Sequence, residues 1–324
     1  MPRVLITGAA GFIGMHTSLR FLREGWDVVG LDNLNDYYSI QLKRDRVAEV
    51  QKKARNFKQT FILYQEDLNS GIWDSLKKYN FEAVVHLAAQ AGVRYSIENP
   101  RAYLDSNVLG FQSVIEFVER QSIKRFVYAS SSSVYGKTSI QPFSEQEHCN
   151  QPESYYAATK KTNELMAYSY FKTKGISSIG LRFFTVYGPW GRPDMAPSLF
   201  AEAALRGNSI RVFNHGNQQR DFTYIEDVVE GIFLSITKFT KIEGAEILNI
   251  GYGSPVGLMD FIAAIEFATG NEIRKLYVEA QLGDVTSTFA DTTKIEELFG
   301  YSAKTDVKLG ISKMIKWYKN YNDI

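Results

Sequence analysis

Val4-Leu5-Ile6-Thr7-Gly8-Ala9-Ala10-Gly11-Phe12-Ile13-Gly14 runs a short apolar strand straight into three glycines spaced three apart, and a helical pattern follows. Gly8 permits the tight turn, Gly11 removes a Cβ where the backbone would approach phosphates, and Gly14 allows helix and strand to pack closely. The N–H groups and positive dipole end of the helix would then face an anion. The stretch is built to hold a pyrophosphate.

The next apolar strand, Asp27-Val28-Val29-Gly30-Leu31-Asp32, ends in an acid 18 residues after Gly14, where a ribose-binding carboxylate belongs. Asp32 would accept hydrogen bonds from an adenosine ribose and repel a 2′-phosphate, favouring NAD over NADP. Lys43 and Arg44 lie nearby in sequence as a basic counterweight.

Further apolar strands lie near Phe61–Tyr64, Ala83–Leu87, Arg125–Ser130 and Ile179–Phe183, with amphipathic helices between them. This alternation predicts an α/β fold, a Rossmann-type doubly wound parallel sheet covered on both faces. Ligands in such sheets lie beyond the carboxyl ends of the strands. Small or polar residues follow nearly every strand: Gly8–Gly14, Asp32-Asn33, Asp67-Leu68, Ala88-Ala89-Gln90, Ser130–Ser133 and Thr185. After about Gly188 the chain turns to short segments rich in Gly, Pro, Asn and aromatics, with a strand at Glu246–Ile250 and helices near Leu258–Ala268 and Val307–Tyr321. The expected organisation is an NAD-binding domain over 1–180 and a smaller C-terminal substrate-binding lobe over 181–324, the chain crossing between them. Val307, Ile311, Met314, Ile315 and Tyr318 form one stripe of the last helix, a core-facing pattern.

Of 324 residues, 44% are hydrophobic, enough for a large core. The 37 basic and 36 acidic side chains leave a net charge of +1, so no bulk attraction to nucleic acid is expected. One cysteine, Cys149, excludes an internal disulfide, and four scattered histidines offer no metal-ligand cluster. A reducing cytoplasm fits this usage. No basic-then-apolar leader precedes the first strand and no run of about 18 apolar residues occurs, so neither export nor membrane association is expected.

Tyr156 and Lys160 are four apart in a helix-forming stretch and share one face. A phenol with a reference pKa of about 10 is a poor base near neutrality, but a neighbouring ammonium and a nicotinamide's positive charge would favour the phenolate. Alone, such a pair is common on helix surfaces. Its context is Tyr128-Ala129-Ser130-Ser131-Ser132-Ser133-Val134-Tyr135-Gly136, a strand with a hydroxyl-rich exit whose Ser131 lies 25 residues before Tyr156 and could hydrogen-bond the same substrate oxygen. Self-capping turn hydroxyls are the plainer reading of the serines, but it leaves their place at the sheet's carboxyl edge unexplained.

From Val4 to about Tyr321 the chain resembles the extended short-chain dehydrogenase/reductases of the NAD-dependent epimerase/dehydratase kind, and among them the UDP-glucuronate 4-epimerases. The motifs are Thr7–Gly14, Asp32-Asn33-Leu34-Asn35-Asp36-Tyr37-Tyr38, the run from His86 to Ser96, the serine exit, Tyr156/Lys160, Leu181–Arg192 and Arg220-Asp221-Phe222-Thr223-Tyr224. The resemblance implies bound NAD, with Gly8, Gly11, Phe12, Ile13 and Gly14 at the phosphates and Asp32 with Asn33 at the adenosine ribose. Asp67 and Leu68 would meet adenine, Leu87, Ala88, Ala89, Gln90 and Asn107 would line the cofactor site, and Lys160 would hold the nicotinamide ribose. It implies a UDP-sugar partner as well, with Arg220 on the phosphates, Phe213 against uracil and Asp284 in a nearby loop. That loop departs from the family pattern, having Leu282 where proline commonly precedes Gly283-Asp284. The implied reaction is 4-epimerisation through a 4-keto sugar, and the relatives' pairing of two helices per subunit implies a homodimer through Phe111–Glu119 and Tyr156–Phe171.

Within this superfamily the 4,6-dehydratases carry Asp-Glu directly after the catalytic Ser or Thr, where this chain has Ser132 and Ser133. Elimination of water is therefore not expected. Thr185 replaces the asparagine of many UDP-hexose relatives, and with Arg192 it could receive a sugar carboxylate. A C4 ketone makes glucuronate a β-keto acid prone to losing carbon dioxide, so Thr185, Ser132 and Ser133, with Arg192 or Arg94, are expected to restrain the carboxylate. The competing readings are 4-epimerisation of neutral or N-acetylated UDP-hexoses and a non-catalytic NAD-binding scaffold.

Overall fold

A computed structural model describes residues 1–137, 140–280 and 286–324. The first half of the chain runs β1 (Arg3–Thr7), α1 (Phe12–Arg23), β2 (Asp27–Leu31), α2 (Ile40–Phe57), β3 (Phe61–Tyr64), α3 (Trp73–Leu76), β4 (Ala83–His86), α4 (Tyr95–Glu98), α5 (Pro100–Tyr103), α6 (Gly110–Arg120), β5 (Arg125–Ser131), α7 (Tyr155–Lys174) and β6 (Ser178–Phe183). A six-residue π-helical turn, Leu104–Leu109, leads into α6.

The second half runs β7 (Thr185–Tyr187), α8 (Ala196–Arg206), β8 (Ser209–Phe213), β9 (Gln219–Arg220), β10 (Phe222–Tyr224), α9 (Ile225–Thr237), β11 (Ala245–Ile250), β12 (Val256–Gly257), α10 (Leu258–Thr269), β13 (Arg274–Val278), β14 (Ser287–Thr288), α11 (Thr293–Phe299) and α12 (Val307–Asn322).

Seven strands form one parallel sheet in the order β11-β6-β5-β4-β1-β2-β3. Successive side chains of β1 face opposite ways, as strand geometry requires. Val4 and Ile6 join a core with Met15 and Phe21 of α1 and Val228 and Ile232 of α9, whereas Leu5 joins Phe111 and Ile115 of α6 and Tyr128 of β5. Both faces are therefore covered by helices, which explains the uninterrupted apolar strands. The order of strand addition reverses between β1 and β4, with β2 and β3 added on one side and β4 to β6 on the other, opening the crevice where such folds bind ligands.

Ala245–Ile250 corrects the expected organisation, because it belongs to this sheet and not to the smaller lobe. It pairs with β6 in the register Leu248↔Leu181 and Ile250↔Phe183, and both Leu248 and Ile250 are fully buried. The exposed edge of β6 and its apolar partner outweigh sequence distance. Among the remaining C-terminal elements α11 packs Ile295 and Phe299 into the core of Val4 and Ile6, whereas α8, β8, β10, α10 and α12 build a second core containing Phe200, Val212, Phe222, Phe261, Ile311 and Met314. There Phe222 and Phe261 stack with ring centroids 3.9 Å apart, and Val307, Ile311, Met314 and Ile315 are the buried stripe of α12. Among the described residues no helix is long and apolar enough to cross a membrane.

Candidate active site

The glycine turn closes tightly at the exit of β1. Gly8 has φ +71°, its N–H bonds the Leu31 carbonyl at 2.7 Å, and the Gly11 N–H bonds the Gly8 carbonyl at 2.9 Å. Gly11 begins α1 with no side-chain cap and no acid in the first turn. The orphan N–H groups of that turn are thus left for an anionic ligand. A Cβ on Gly8 would stand 2.7 Å from the Ala88 nitrogen, and one on Gly14 only 2.0 Å from the Gly8 oxygen.

Asp32 accepts the Ala10 N–H at 3.0 Å and the Leu34 N–H at 2.9 Å, which fixes its carboxylate at the β2 exit. Burial raises its pKa, opposed by those N–H groups and by Lys43. The Lys43 ammonium is spent locally on the Asn35 side-chain oxygen at 2.7 Å, and Arg44 is exposed. The basic counterweight is thereby engaged or remote, and the pocket keeps an acid where a ribose hydroxyl pair would bind. These residues fit a dinucleotide.

A single cavity of about 830 Å3 runs from Asp32, Asn33, Asp67 and Leu68 to Phe213 and Arg220. Along it lie Gly8, Gly11, Phe12, Ile13, Gly14, Leu87, Ala88, Ala89, Gln90, Arg94, Ser131, Ser132, Ser133, Tyr156, Lys160, Thr185 and Arg192. Asn107 is a correction. It is 1% exposed and absent from the cavity wall; its side chain accepts the Gln90 N–H at 2.8 Å and donates to the Gln90 carbonyl and to Thr159 Oγ1, both at 3.0 Å. It braces the β4 exit against α7 from behind. Asp284, with Leu282 and Gly283, lies outside the described residues.

Ser154 caps α7 by accepting the Ala157 N–H at 3.1 Å, so Tyr156 and Lys160 fall on the first two turns with their side chains toward the sheet. Tyr155 is 40% exposed and points away. Ser131 caps the 3-10 turn Ser132–Tyr135, accepting the Ser133 N–H at 3.2 Å and the Ser133 hydroxyl at 2.9 Å. Its own proton is then free to face the Tyr156 phenol, with which it is in hydrogen-bonding reach. The serines are both a cap and a lining.

The electrostatics differ from expectation. Burial raises the Tyr156 pKa, with the Ser131 hydroxyl and the Arg192 charge pulling it down, and Lys160 is not among the groups that lower it. The lysine donates instead to the Ala129 carbonyl at 2.9 Å, and burial lowers its own pKa to about 8. In the protein alone burial therefore favours the neutral phenol.

Three features were not legible in the sequence. Arg46 of α2 is fully buried and bonds the Ala10 carbonyl at 3.1 Å, the Tyr38 hydroxyl at 2.7 Å and the Trp190 carbonyl at 2.7 Å, tying the glycine turn to the loop that carries Arg192. Glu164 lies eight residues after Tyr156 on the same helical stripe and forms two 2.9 Å hydrogen bonds with Arg182 of β6, while the Ser130 hydroxyl bonds it at 2.7 Å. Burial pushes the Glu164 carboxyl up, but Arg182 outweighs it and the net shift is downward. Only the i, i+4, i+8 spacing could have signalled this anchor. Arg182→Met leaves the buried Glu164 carboxylate with only Lys161 at 3.2 Å and the Ser130 hydroxyl as partners and is expected to destabilise the fold by about 3 kcal/mol, read as a lowered denaturant midpoint; an unchanged midpoint would show that the pair anchors nothing.

The third is His86, 2% exposed, whose Nδ1 lies 2.7 Å from the Thr7 hydroxyl. Burial first, then the Lys160 charge, lowers its pKa from 6.5 to about 3. Between pH 6.5 and 3 the unfolded chain binds a proton that the folded chain refuses, so stability is lost as pH falls through that window, by about 1.4 kcal/mol per unit for such a group. Chemical unfolding at several pH values is expected to show a shallower acid slope in His86→Asn than in the parent.

On the substrate side Thr185 is half-buried at the start of β7, its N–H on the Asp221 carbonyl at 3.1 Å. The Arg94 guanidinium lies 4.9 Å from the centroid of the half-buried Phe213 ring. Arg220 donates to the Gln219 carbonyl at 2.9 Å and the Thr286 carbonyl at 3.2 Å. Arg192 is not an open fork awaiting a carboxylate: it already holds Asp194, through Nε at 3.1 Å and Nη2 at 2.6 Å.

A glycine turn with free N–H groups and a buried phenol facing one continuous cavity fit an enzyme that works with a dinucleotide on a second ligand bound beside it. The chain belongs to the NAD dependent epimerase/dehydratase family, whose profile matches residues 4–251. Protein CapI of Staphylococcus aureus is 44% identical over 334 residues, covering 98% of this chain and 99% of that protein. UDP-glucuronate 4-epimerase 4 of Arabidopsis thaliana is 41% identical over 335 residues, covering 98% of this chain and 75% of that one. Among solved structures, UDP-glucuronic acid 4-epimerase of Bacillus cereus in complex with UDP-glucuronic acid and NAD superposes with a TM-score of 0.91 at 31% identity, covering 98% of this chain and 99% of that one.

Proposed function

We propose that this protein is an NAD-dependent UDP-glucuronate 4-epimerase, converting UDP-glucuronate to UDP-galacturonate through a transient 4-keto sugar. One observation carries the reading: the Tyr156 phenol, with the Ser131 hydroxyl on it, opens into a cavity that is continuous with the glycine turn and lined by Ser132, Ser133 and Thr185 instead of a dehydratase's acids. NAD, when bound, accepts the hydrogen of the sugar C4 as hydride and returns it to the opposite face of the ketone.

Tyr156 takes the proton from the 4-hydroxyl and gives it back after the ketone has turned over. Ser131 hydrogen-bonds the same oxygen. Asp32 selects the ribose, and Lys160 holds a second one. Arg94, Phe213 and Arg220 receive the uridine diphosphate end, for which a guanidinium on a ring face and a second guanidinium at the cavity mouth are suited. Ser132, Ser133 and Thr185 hold the carboxylate so that its bond to C5 stays out of line with the ketone π system, which keeps carbon dioxide from leaving.

The test is incubation of the purified protein with UDP-glucuronate, UDP-galacturonate, UDP-glucose and UDP-N-acetylglucosamine, followed by NMR. UDP-galacturonate is the expected product from UDP-glucuronate. A UDP-pentose as the main product, or turnover confined to the neutral sugars, overturns the assignment.

The same reading includes a dinucleotide domain built on the seven-stranded sheet, a nucleotide-sugar lobe built on the second core, and a homodimer. Leu109 at the end of the π-helical turn before α6, and Leu165 and Tyr168 of α7, are 47%, 60% and 53% exposed and put apolar surface on the outside of this region. Sedimentation as a monomer at micromolar concentration would remove the dimer. The free thiol of Cys149 suits a cytoplasmic location.

A further inference from the structure

The loop after β7 carries a cation and an anion into the same cavity. Arg192 and Asp194 both line it, together with Tyr37. Besides its two bonds to Asp194, Nη2 of Arg192 donates to the Ala91 carbonyl at 3.2 Å, and the guanidinium lies 5.6 Å from the centroid of the Tyr37 ring. The Tyr37 hydroxyl donates to Asp194 at 3.4 Å. The two side chains are 18% and 32% exposed, half-withdrawn from water. Gly92, with φ +123°, keeps the opposite wall clear: a Cβ there would meet the Tyr37 hydroxyl at 3.1 Å and Arg192 Nη2 at 3.9 Å. Tyr156 lines the same cavity as the pair.

An ordinary ion pair two residues apart on a loop has no reason to occupy a substrate cavity, and exposed pairs contribute little to stability. A guanidinium facing an enclosed site without an anion would be costly. Two carboxylates brought to one guanidinium repel. An acidic ligand must therefore compete with Asp194, while a neutral one leaves the pair intact.

We propose that Asp194 is a specificity-determining residue, a standby counter-ion that yields Arg192 to the carboxylate of an acidic nucleotide sugar and reclaims it when that carboxylate moves away. The inference rests on the acidic-sugar reading of the preceding subsection. It supplies what that reaction needs at its middle point. The keto sugar must turn over before its other face is presented, and a carboxylate fixed to a bare guanidinium would resist the turn. With Asp194 in place, the ion pair given up by the sugar is regained inside the protein, so release and rotation proceed without stranding a buried charge.

The experiment uses NAD-loaded enzyme with Asp194→Asn and Asp194→Glu. For Asp194→Asn the KM for UDP-glucuronate is expected to fall about tenfold and kcat to fall about tenfold, because the carboxylate is held more tightly in every state that precedes release. Calorimetric binding of UDP-glucose should stay within about twofold of the parent, since a neutral sugar never contests the pair. Asp194→Glu should return both constants toward parental values. KM and kcat both unchanged in Asp194→Asn, or UDP-glucose affinity rising as much as that of UDP-glucuronate, overturns the proposal. If Asp194→Asn fails to retain NAD, Asp194→Ser is read by the same criteria. Absence of UDP-glucuronate turnover in the parent enzyme defeats the functional reading instead, and the binding comparison of the two sugars still reports on Asp194 by itself.

Discussion

Tyr156→Phe is expected to lower kcat for UDP-glucuronate about 10³-fold, in the range that loss of a positioned general base costs, while leaving the bound NAD in place. That is about 4 kcal/mol of transition-state stabilisation. The oxygen alone is at stake. The ring packs edge-on against Tyr103 at 6.0 Å, and this contact survives in phenylalanine. Among the described residues the hydroxyl has no backbone partner, and its neighbour is Ser131. Thermal unfolding and NAD released on denaturation should therefore match the parent. Because burial holds the phenol above its ordinary pKa, parental kcat/KM is expected to climb with pH on its acid side, and the variant's residual rate should lack that limb. A variant with kcat within tenfold of the parent would take Tyr156 out of the proton-transfer role and assign the base to another group.

Much of this was readable because each local signal was redundant. The parallel sheet follows from strands such as Val4–Ile6 and Val28–Leu31, apolar on both faces because both faces are covered. Tyr156 and Lys160 were legible from helical spacing, and Ser131 from its place at a strand exit. Charge states were not, because burial is a property of the assembled site. Lys160, expected to acidify the phenol, donates a hydrogen bond to the Ala129 carbonyl, and burial of the phenol pushes its pKa up. Long-range partnerships were equally silent: nothing in Lys43-Arg44-Asp45-Arg46 says that only the last is fully buried and reaches Trp190, 144 positions away. Asn107 misled because a polar residue near a strand exit can face the cavity or brace the wall behind it, and sequence does not distinguish the two. The engagement of Arg192 was equally silent, since nothing in sequence says that Asp194, two residues on in the same loop, faces the guanidinium.

Gly14→Ala and Gly11→Ala are expected to fail in different ways, and the contrast tests how the glycine turn works. A Cβ on Gly14 would lie 2.0 Å from the Gly8 carbonyl oxygen and 2.8 Å from its carbon, distances no side-chain adjustment relieves because both atoms are backbone. The helix must move off the strand or the turn must open. Since α1 also packs Met15 and Phe21 into the core with Val4 and Ile6, the strain spreads into the sheet, and a loss of several kcal/mol is expected. Gly14→Ala should therefore purify with a lowered melting temperature and no NAD. A Cβ on Gly11 would meet only the Gly8 oxygen at 3.0 Å, with its next neighbour at 3.9 Å. The turn can give by a few tenths of an ångström, so the fold should persist. What Gly11→Ala loses is the close approach of backbone to phosphate, and its NAD affinity should fall at least about a hundredfold with little change in the melting temperature of the cofactor-free protein. NAD content measured beside thermal unfolding separates the two outcomes. If both variants keep parental stability and parental NAD content, the turn is a structural bend with no ligand, and the dinucleotide must bind elsewhere.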